Sequence, residues 1–166
     1  MTILDTTKEL ASLLTPQAWK VALAESCTGG LVCATLTELA GSSDWFERGY
    51  ITYSNLAKTE CLGVPAELIE SDGAVSEAVA KAMAEGAQRN ANVKAAISIT
   101  GIAGPGGGSI EKPIGTVCFA WSIQNQGVVT TTCQTKLFKG DRQAVREQAA
   151  AFALAQLLIL LKTTNH

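Results

Sequence analysis

The chain has 166 residues, 47% of them hydrophobic, with a formal net charge of −2 and an isoelectric point near 5.4; that is enough apolar material for one domain with a substantial core. The acidic balance and the lack of a basic run give no electrostatic basis for nucleic-acid binding, and the polar start, Met1 to Lys8, is not followed by the apolar region of a secretory signal. Five cysteines at irregular spacing, without a Cys-x-x-Cys pair, fit neither a disulfide framework nor a zinc site and point to reduced thiols in a cytoplasm.

Apolar positions at Ile3, Leu4, Leu10, Leu13 and Leu14 have a helical period that ends at Thr15-Pro16. Lys20 to Ala24 reads as the first strand. It leads into Ala24-Glu25-Ser26-Cys27-Thr28-Gly29-Gly30 and then an amphipathic helix from Leu31 to about Ala40. A strand, a turn with two glycines and a helix start bring backbone N–H groups close to whatever the turn holds. Such a turn suits an anion or an oxyanion formed during reaction; equally it can be a tight connection with a Ser or Thr cap.

Gly41 to Asp44 is a turn, and Asp44-x-x-Glu47 predicts a short helical turn through Trp45 and Phe46. Gly49 to Tyr53 reads as a strand. Ser54-Asn55 caps a helix that carries Lys58 and ends at Gly63; Pro65 to Glu70 is another short helix. After the loop Asp72 to Val75, Ser76 caps a helix from Glu77 to about Arg89. Ala95 to Thr100 is a short apolar run fit for a central strand, followed by the glycine-rich loop Gly101 to Ser109. Gly115 to Ile123 and Val128 to Phe138 form a hairpin around Gln124 to Gly127. A terminal helix follows Gly140-Asp141 and runs to about Lys162. Its most apolar part, Ala149 to Leu161, is shorter than the roughly 20 residues that span a bilayer and reads as a buried core helix. This order predicts an α/β fold, a three-layer α/β/α sandwich with a mixed, mostly parallel sheet.

The only histidine is His166, the last residue, where chains commonly fray. A Ser-His-Asp triad, a Cys-His pair and a histidine-ligated metal site are therefore not expected. A hydrolase built on this chain needs lysine, tyrosine or a carboxylate as its base. Lys58, in the first turn of its helix, meets the positive end of the dipole, which disfavours an ammonium; with desolvation it becomes a general base. Tyr53 beside it is placed to relay a proton or hold a hydroxyl. The plain alternative is a surface lysine next to a core tyrosine. Thr100 ends its strand where α/β proteins place ligands, and the loop after it has the N–H groups of an anion nest, though neither P-loop nor dinucleotide-fingerprint spacing. Lys112 beyond that loop pairs with a phosphate or is simply solvated. Arg142 and Arg146, one turn apart on one helix face, suit a phosphate or carboxylate, or else form a salt-bridged surface.

Ala24 to Gly30, Gly41-Ser42-Ser43, Gly49 with Tyr53-Ser54-Asn55 and Lys58, and Gly73-Ala74-Val75-Ser76 occur in that order. Gly101 to Pro105 with Gly107-Gly108, Lys112-Pro113 with Gly115-Thr116-Val117, and Gly140 with Arg142 complete the series. Together they resemble the CinA C-terminal domain family, whose best-known enzymatic members are nicotinamide-mononucleotide amidases. The resemblance runs over almost the whole chain and implies one such domain over 1–166. It implies hydrolysis of the nicotinamide amide to nicotinic acid mononucleotide and ammonia, without cofactor, metal or histidine. By that resemblance Ser26 is the nucleophile, Lys58 its base and Tyr53 an assistant. Ser43, Thr28, Gly29, Gly30, Thr100, Gly101, Gly104 and Arg142 are implied substrate-binding or orienting positions. A small nucleotide partner, no nucleic acid or membrane, a cytoplasmic location and a homodimer or larger homo-oligomer go with it.

Cys27 is a second candidate nucleophile, with only the helix dipole to activate it. Two positions depart from the family pattern: Asp72, where many members have His, and Gly106, where many have Asp. Neither touches the implied nucleophile or base, but both bear on substrate fit. The competing expectation is a nucleotide-binding or regulatory module that keeps the fold without turnover.

Overall fold

The computed structural model describes residues 1–164 and folds them around one five-stranded sheet of order β2-β1-β3-β4-β5. The strands are β1 (Val21–Glu25), β2 (Phe46–Ile51), β3 (Ala95–Gly101), β4 (Thr116–Asn125) and β5 (Val128–Leu137). β1 pairs parallel with β2 and β3, β4 pairs antiparallel with β3, and β5 with β4. Only β4 therefore opposes the common strand direction, and the sheet is mixed but mostly parallel, as the order of elements predicts. The helices are α1 (Ile3–Leu14), α2 (Leu31–Thr37), α3 (Asn55–Leu62), α4 (Ala66–Asp72), α5 (Glu77–Ala91) and α6 (Arg142–Thr164). His166 lies outside the described residues.

The two sheet faces differ in side-chain size, and that difference sets the layers. Val21 and Leu23 of β1, Ile97 and Ile99 of β3, and Val117, Phe119, Trp121 and Ile123 of β4 share one core with α1, α2 and α6. Phe119, Trp121, Phe138 and Phe152 form its aromatic cluster, with Trp121 donating from Nε1 to the Ala153 carbonyl at 2.9 Å. The alternate residues of the same strands are Ala22, Ala24, Ala96, Ser98, Cys118, Ala120 and Ser122, all buried. Over them lies α5, which presents Ala80, Ala84 and Ala87 and so approaches closely. The buried hydroxyls on this face are satisfied: Ser98 bonds the Ala80 carbonyl and Ser122 the Gln88 amide.

Several boundaries differ from the sequence reading. β2 begins at Phe46, because the Trp45 carbonyl already accepts from Val21 N–H at 2.8 Å; the helical turn expected through Trp45 and Phe46 is instead a 3₁₀ turn at Ser42–Asp44. α2 stops at Thr37, three residues short of Ala40. α6 runs from Arg142 to Thr164, close to the expected end at about Lys162, and its whole length of 23 residues is long and apolar enough by composition to span a bilayer, which its most apolar part alone is not. Its buried face, from Val145 to Leu161, packs on the sheet and α1.

From β1 the chain crosses through α2 to β2 on one side, then returns through α3, α4 and α5 to β3 on the other. The strand order thus reverses between β1 and β3. In an open α/β sheet the crevice at the carboxyl ends of such strands is where ligands bind.

Candidate active site

Ser26 is the first residue past β1, its N–H bonded to the Ile99 carbonyl of β3 at 2.9 Å. Lys58 comes from α3, whose start is fixed by Ser54 Oγ accepting from Ala57 N–H. One turn into that helix, the Lys58 stem is directed into the crevice, where the residue is 1% exposed. Its Nζ lies 3.0 Å from Ser26 Oγ, 3.1 Å from the Thr52 carbonyl and 3.2 Å from the Tyr53 carbonyl. Among the described residues no carboxylate pairs with it. Burial lowers its pKa from the usual lysine value, and only the charge interaction with Cys27 opposes this. A neutral amine has two N–H groups and one lone pair. With the two carbonyls taking the N–H groups, the lone pair faces Ser26 Oγ, whose hydroxyl also has the Tyr53 carbonyl as an acceptor at 3.4 Å. This geometry suits a base acting on a serine.

A cleft of about 270 Å³ opens over the pair. Its lining includes Ser26, Cys27, Tyr53, Asn55, Lys58, Thr100, Gly101, Gly104, Gly106 and Arg142, with no aspartate or glutamate. Arg142, at the start of α6, donates from Nη1 to the Gly104 carbonyl at 2.8 Å and from Nη2 to the Tyr53 hydroxyl at 3.1 Å. Thr100 Oγ1 is tied to the Ala74 carbonyl at 2.9 Å. A Cβ at Gly101 would fall 2.8 Å from Val117 and 2.9 Å from the Thr116 carbonyl, so only glycine fits where β3 leaves the sheet. Among the described residues no cluster of His, Cys, Asp or Glu could hold a metal.

Several expected site residues have other positions. Tyr53 does not bring its phenol to Ser26; the residue is 60% exposed and its hydroxyl meets Arg142, while its main-chain carbonyl reaches the lysine. Ser43 is exposed in the turn before β2, at the opposite end of the parallel strands, and does not line the cleft. Thr28, Gly29 and Gly30 also lie outside the lining: they build the turn behind it. There the Gly29 N–H is used by the Ser26 carbonyl and the Gly30 N–H by Glu25 Oε1. The N–H groups of Cys27 and Thr28 have no acceptor among the described residues; of the two residues only Cys27 lines the cleft, and Thr28 is fully buried behind it. Lys112 donates to the Asp72 carbonyl at 3.0 Å and is not in the cleft. The Cys27 thiol is pushed up to about 11, chiefly by burial, so it stays protonated near neutral pH and is a poor nucleophile.

The Thr52 and Tyr53 carbonyls and Glu25 escaped the sequence reading, and Arg146, expected at a phosphate or carboxylate, does something else. The Thr52 and Tyr53 carbonyls are main-chain atoms without a residue signature. Glu25 continues the alternation of Val21 and Leu23 into the core face, and a carboxylate on that period was the available signal. Arg146 separates from Arg142 and bonds the carbonyls of Cys27 and Thr28.

A family model for the CinA C-terminal domain matches residues 4–161. The nicotinamide-nucleotide amidohydrolase PncC of Enterobacter agglomerans is 50% identical over 150 residues, which cover 90% of each protein. A CinA-like protein of Syntrophobacter fumaroxidans is 51% identical over 150 residues, 90% of this chain but 34% of that protein. The crystal structure of a competence or damage-inducible protein from Enterobacter asburiae superposes with a TM-score of 0.91 at 40% identity, covering 97% of this chain and 99% of that one.

Proposed function

The chain belongs to the CinA C-terminal domain family, and from that premise we propose that it is an amidase that converts nicotinamide mononucleotide to nicotinic acid mononucleotide and ammonia by a serine-lysine mechanism. The observation that carries the mechanism is the buried 3.0 Å contact between Lys58 Nζ and Ser26 Oγ. The amidohydrolase name of the Enterobacter agglomerans relative supports the substrate.

Neutral Lys58 takes the Ser26 proton as Oγ attacks the amide carbon. The oxyanion of the tetrahedral intermediate is met by the Cys27 N–H, which has no acceptor among the described residues. The Lys58 ammonium then returns its proton to the departing nitrogen, ammonia leaves, and the nicotinoyl group stays on Ser26 as an ester. Water, deprotonated by Lys58, attacks that ester; the carboxylic acid forms and Ser26 is regenerated. Arg142 is the guanidinium of the cleft and meets the phosphate, while Tyr53 holds Arg142 through its hydroxyl. A reducing, cytoplasmic setting fits the five free thiols, and a homo-oligomer belongs to the same proposal.

Ammonia release from nicotinamide mononucleotide by purified protein tests this reading. Ser26→Ala and Lys58→Met are each expected to reduce kcat at least ~1,000-fold, and full activity in either would refute the assignment. A second reading, a nucleotide-binding module without turnover, is favoured by one fact: a matching region makes up about a third of the Syntrophobacter fumaroxidans protein. Nucleotide binding with no ammonia released over hours would select it.

A further inference from the structure

The turn that carries Ser26 is anchored on its entry side by the sheet. Ser26 N–H bonds the Ile99 carbonyl, and the Glu25 carbonyl accepts from Thr52 N–H at 2.9 Å. On its exit side, from Cys27 to Gly30, the main chain supplies three bonds, Gly29 N–H to the Ser26 carbonyl, Leu31 N–H to the Thr28 carbonyl and Ala34 N–H to the Gly30 carbonyl, and none of them holds the Cys27 carbonyl or the Gly30 N–H. Two charged side chains supply the rest. The Glu25 carboxylate, fully buried, accepts from Gly30 N–H at 3.1 Å and Val32 N–H at 3.0 Å through Oε1, and from Cys33 N–H at 2.9 Å through Oε2. From the other side Arg146 of α6 donates from Nε to the Cys27 carbonyl at 3.1 Å and from Nη2 to the Thr28 carbonyl at 2.9 Å.

We propose that Glu25 and Arg146 are positioning residues for the nucleophile, a clamp of opposite charges that fixes the Ser26–Gly30 turn from both sides. The inference rests on the serine-lysine reading above. A planar guanidinium bonded to two successive carbonyls sets two successive peptide planes. Holding the Cys27 and Thr28 carbonyls therefore fixes the two peptide units that directly follow the nucleophile's own residue pair, and with them the course of the backbone on which Ser26 and the cleft-lining Cys27 sit. Glu25 holds the next segment by its N–H groups, so the backbone cannot rotate at Gly29 or Gly30, where φ is +57° and +105°. The two arginines one turn apart on α6 thus divide the work: Arg142 faces the cleft and Arg146 faces the backbone behind the nucleophile.

The test uses Arg146→Met, Arg146→Lys and Glu25→Gln, each assayed well below its own melting midpoint. Two readouts are compared with the parent: the rate at which a fluorophosphonate labels Ser26, and ammonia release from nicotinamide mononucleotide. Labelling is expected to slow at least ~10-fold in Arg146→Met and Glu25→Gln, and less in Arg146→Lys, which retains one donor. The pH midpoint of labelling stays at the parent value, because Lys58 is untouched, and ammonia release falls through kcat with KM near that of the parent. Parent-rate labelling in the folded variants would overturn the proposal. So would a moved pH midpoint, which would mean the charges act through Lys58 instead. If Glu25→Gln does not fold, the Arg146 pair decides. A parent that labels at Ser26 but releases no ammonia refutes the substrate while the labelling rates still judge the clamp; a parent unlabelled at Ser26 overturns both.

Discussion

A lysine that takes a proton from serine has to be neutral when it acts, and Lys58 is buried in a way that favours the neutral amine. The sign follows directly. Below its pKa Lys58 is an ammonium and cannot accept a proton, so kcat/KM rises with pH. The midpoint falls below 10.5, the ordinary lysine value, because burial lowers the pKa. A pH profile of kcat/KM for the parent measures it; a midpoint at or above 10.5, or a rate that falls as the pH rises, would remove Lys58 from this role. Lys58→Arg, whose guanidinium stays protonated, is expected to be inactive across the same range. The local patterns made Ser26 and Lys58 candidates, a glycine turn after an apolar strand and a lysine in a helix's first turn, and the resemblance chose them; the structure brings their side chains to 3.0 Å. The uses of Tyr53, Arg142 and Arg146 were not legible in the sequence. Arg142 and Arg146 are one turn apart, and only the position of α6 against the turn decides that one meets the cleft and the other the Cys27 and Thr28 carbonyls.

The elements that carry the site were legible where a cap marks them. Ser54 and Ser76 start α3 and α5 as expected, each accepting an N–H of its first turn, and Gly63 ends α3 in the left-handed region. Less legible was what holds α3 in place, because that is a contact between helices. α3 ends against α5 at Gly86, where an added Cβ would collide with the Leu62 carbonyl and stand 3.2 Å from Leu62 Cβ. From sequence, glycine inside a helix reads only as a cost of about 1 kcal/mol against alanine. Here it is what permits the close approach. Gly86→Ala should therefore destabilise the protein by about 1–3 kcal/mol despite the better helix propensity, since it overpacks a backbone contact. Because Leu62 is one turn beyond Lys58 on α3, the displaced helix also carries the lysine away from Ser26, and kcat should fall about tenfold or more. Urea denaturation and a kcat measurement check the two parts together. A stable variant with parent activity would show that α3 yields without moving its lysine.

At the scale of the whole molecule, periodicity revealed the strands but not their neighbours. The order β2-β1-β3-β4-β5 follows from which strand faces have complementary sizes, large side chains towards α1 and α6 and small ones towards α5, and that complementarity becomes visible only once the strands are paired. The site sits where the order reverses, so the fold also bears the energetic consequence of keeping Lys58 uncharged there. A group whose pKa is lower in the folded state binds fewer protons folded than unfolded. For Lys58 this makes the stability of the parent rise with pH between its depressed folded value and the unfolded value near 10.5, and level off above it. Each tenfold by which burial favours the neutral amine is worth about 1.4 kcal/mol, or about 3–6 °C in melting midpoint for a domain of this size. Lys58→Met removes this term, and its loss of hydrogen bonds to the Thr52 and Tyr53 carbonyls changes stability by an amount that does not depend on pH. The melting midpoint of the parent minus that of Lys58→Met should therefore climb as the pH is raised from 7 towards 10.5, with all other titrations common to both proteins. A difference that stays flat over that range would mean that the folded protein does not favour the neutral lysine, and the base would have to be sought elsewhere.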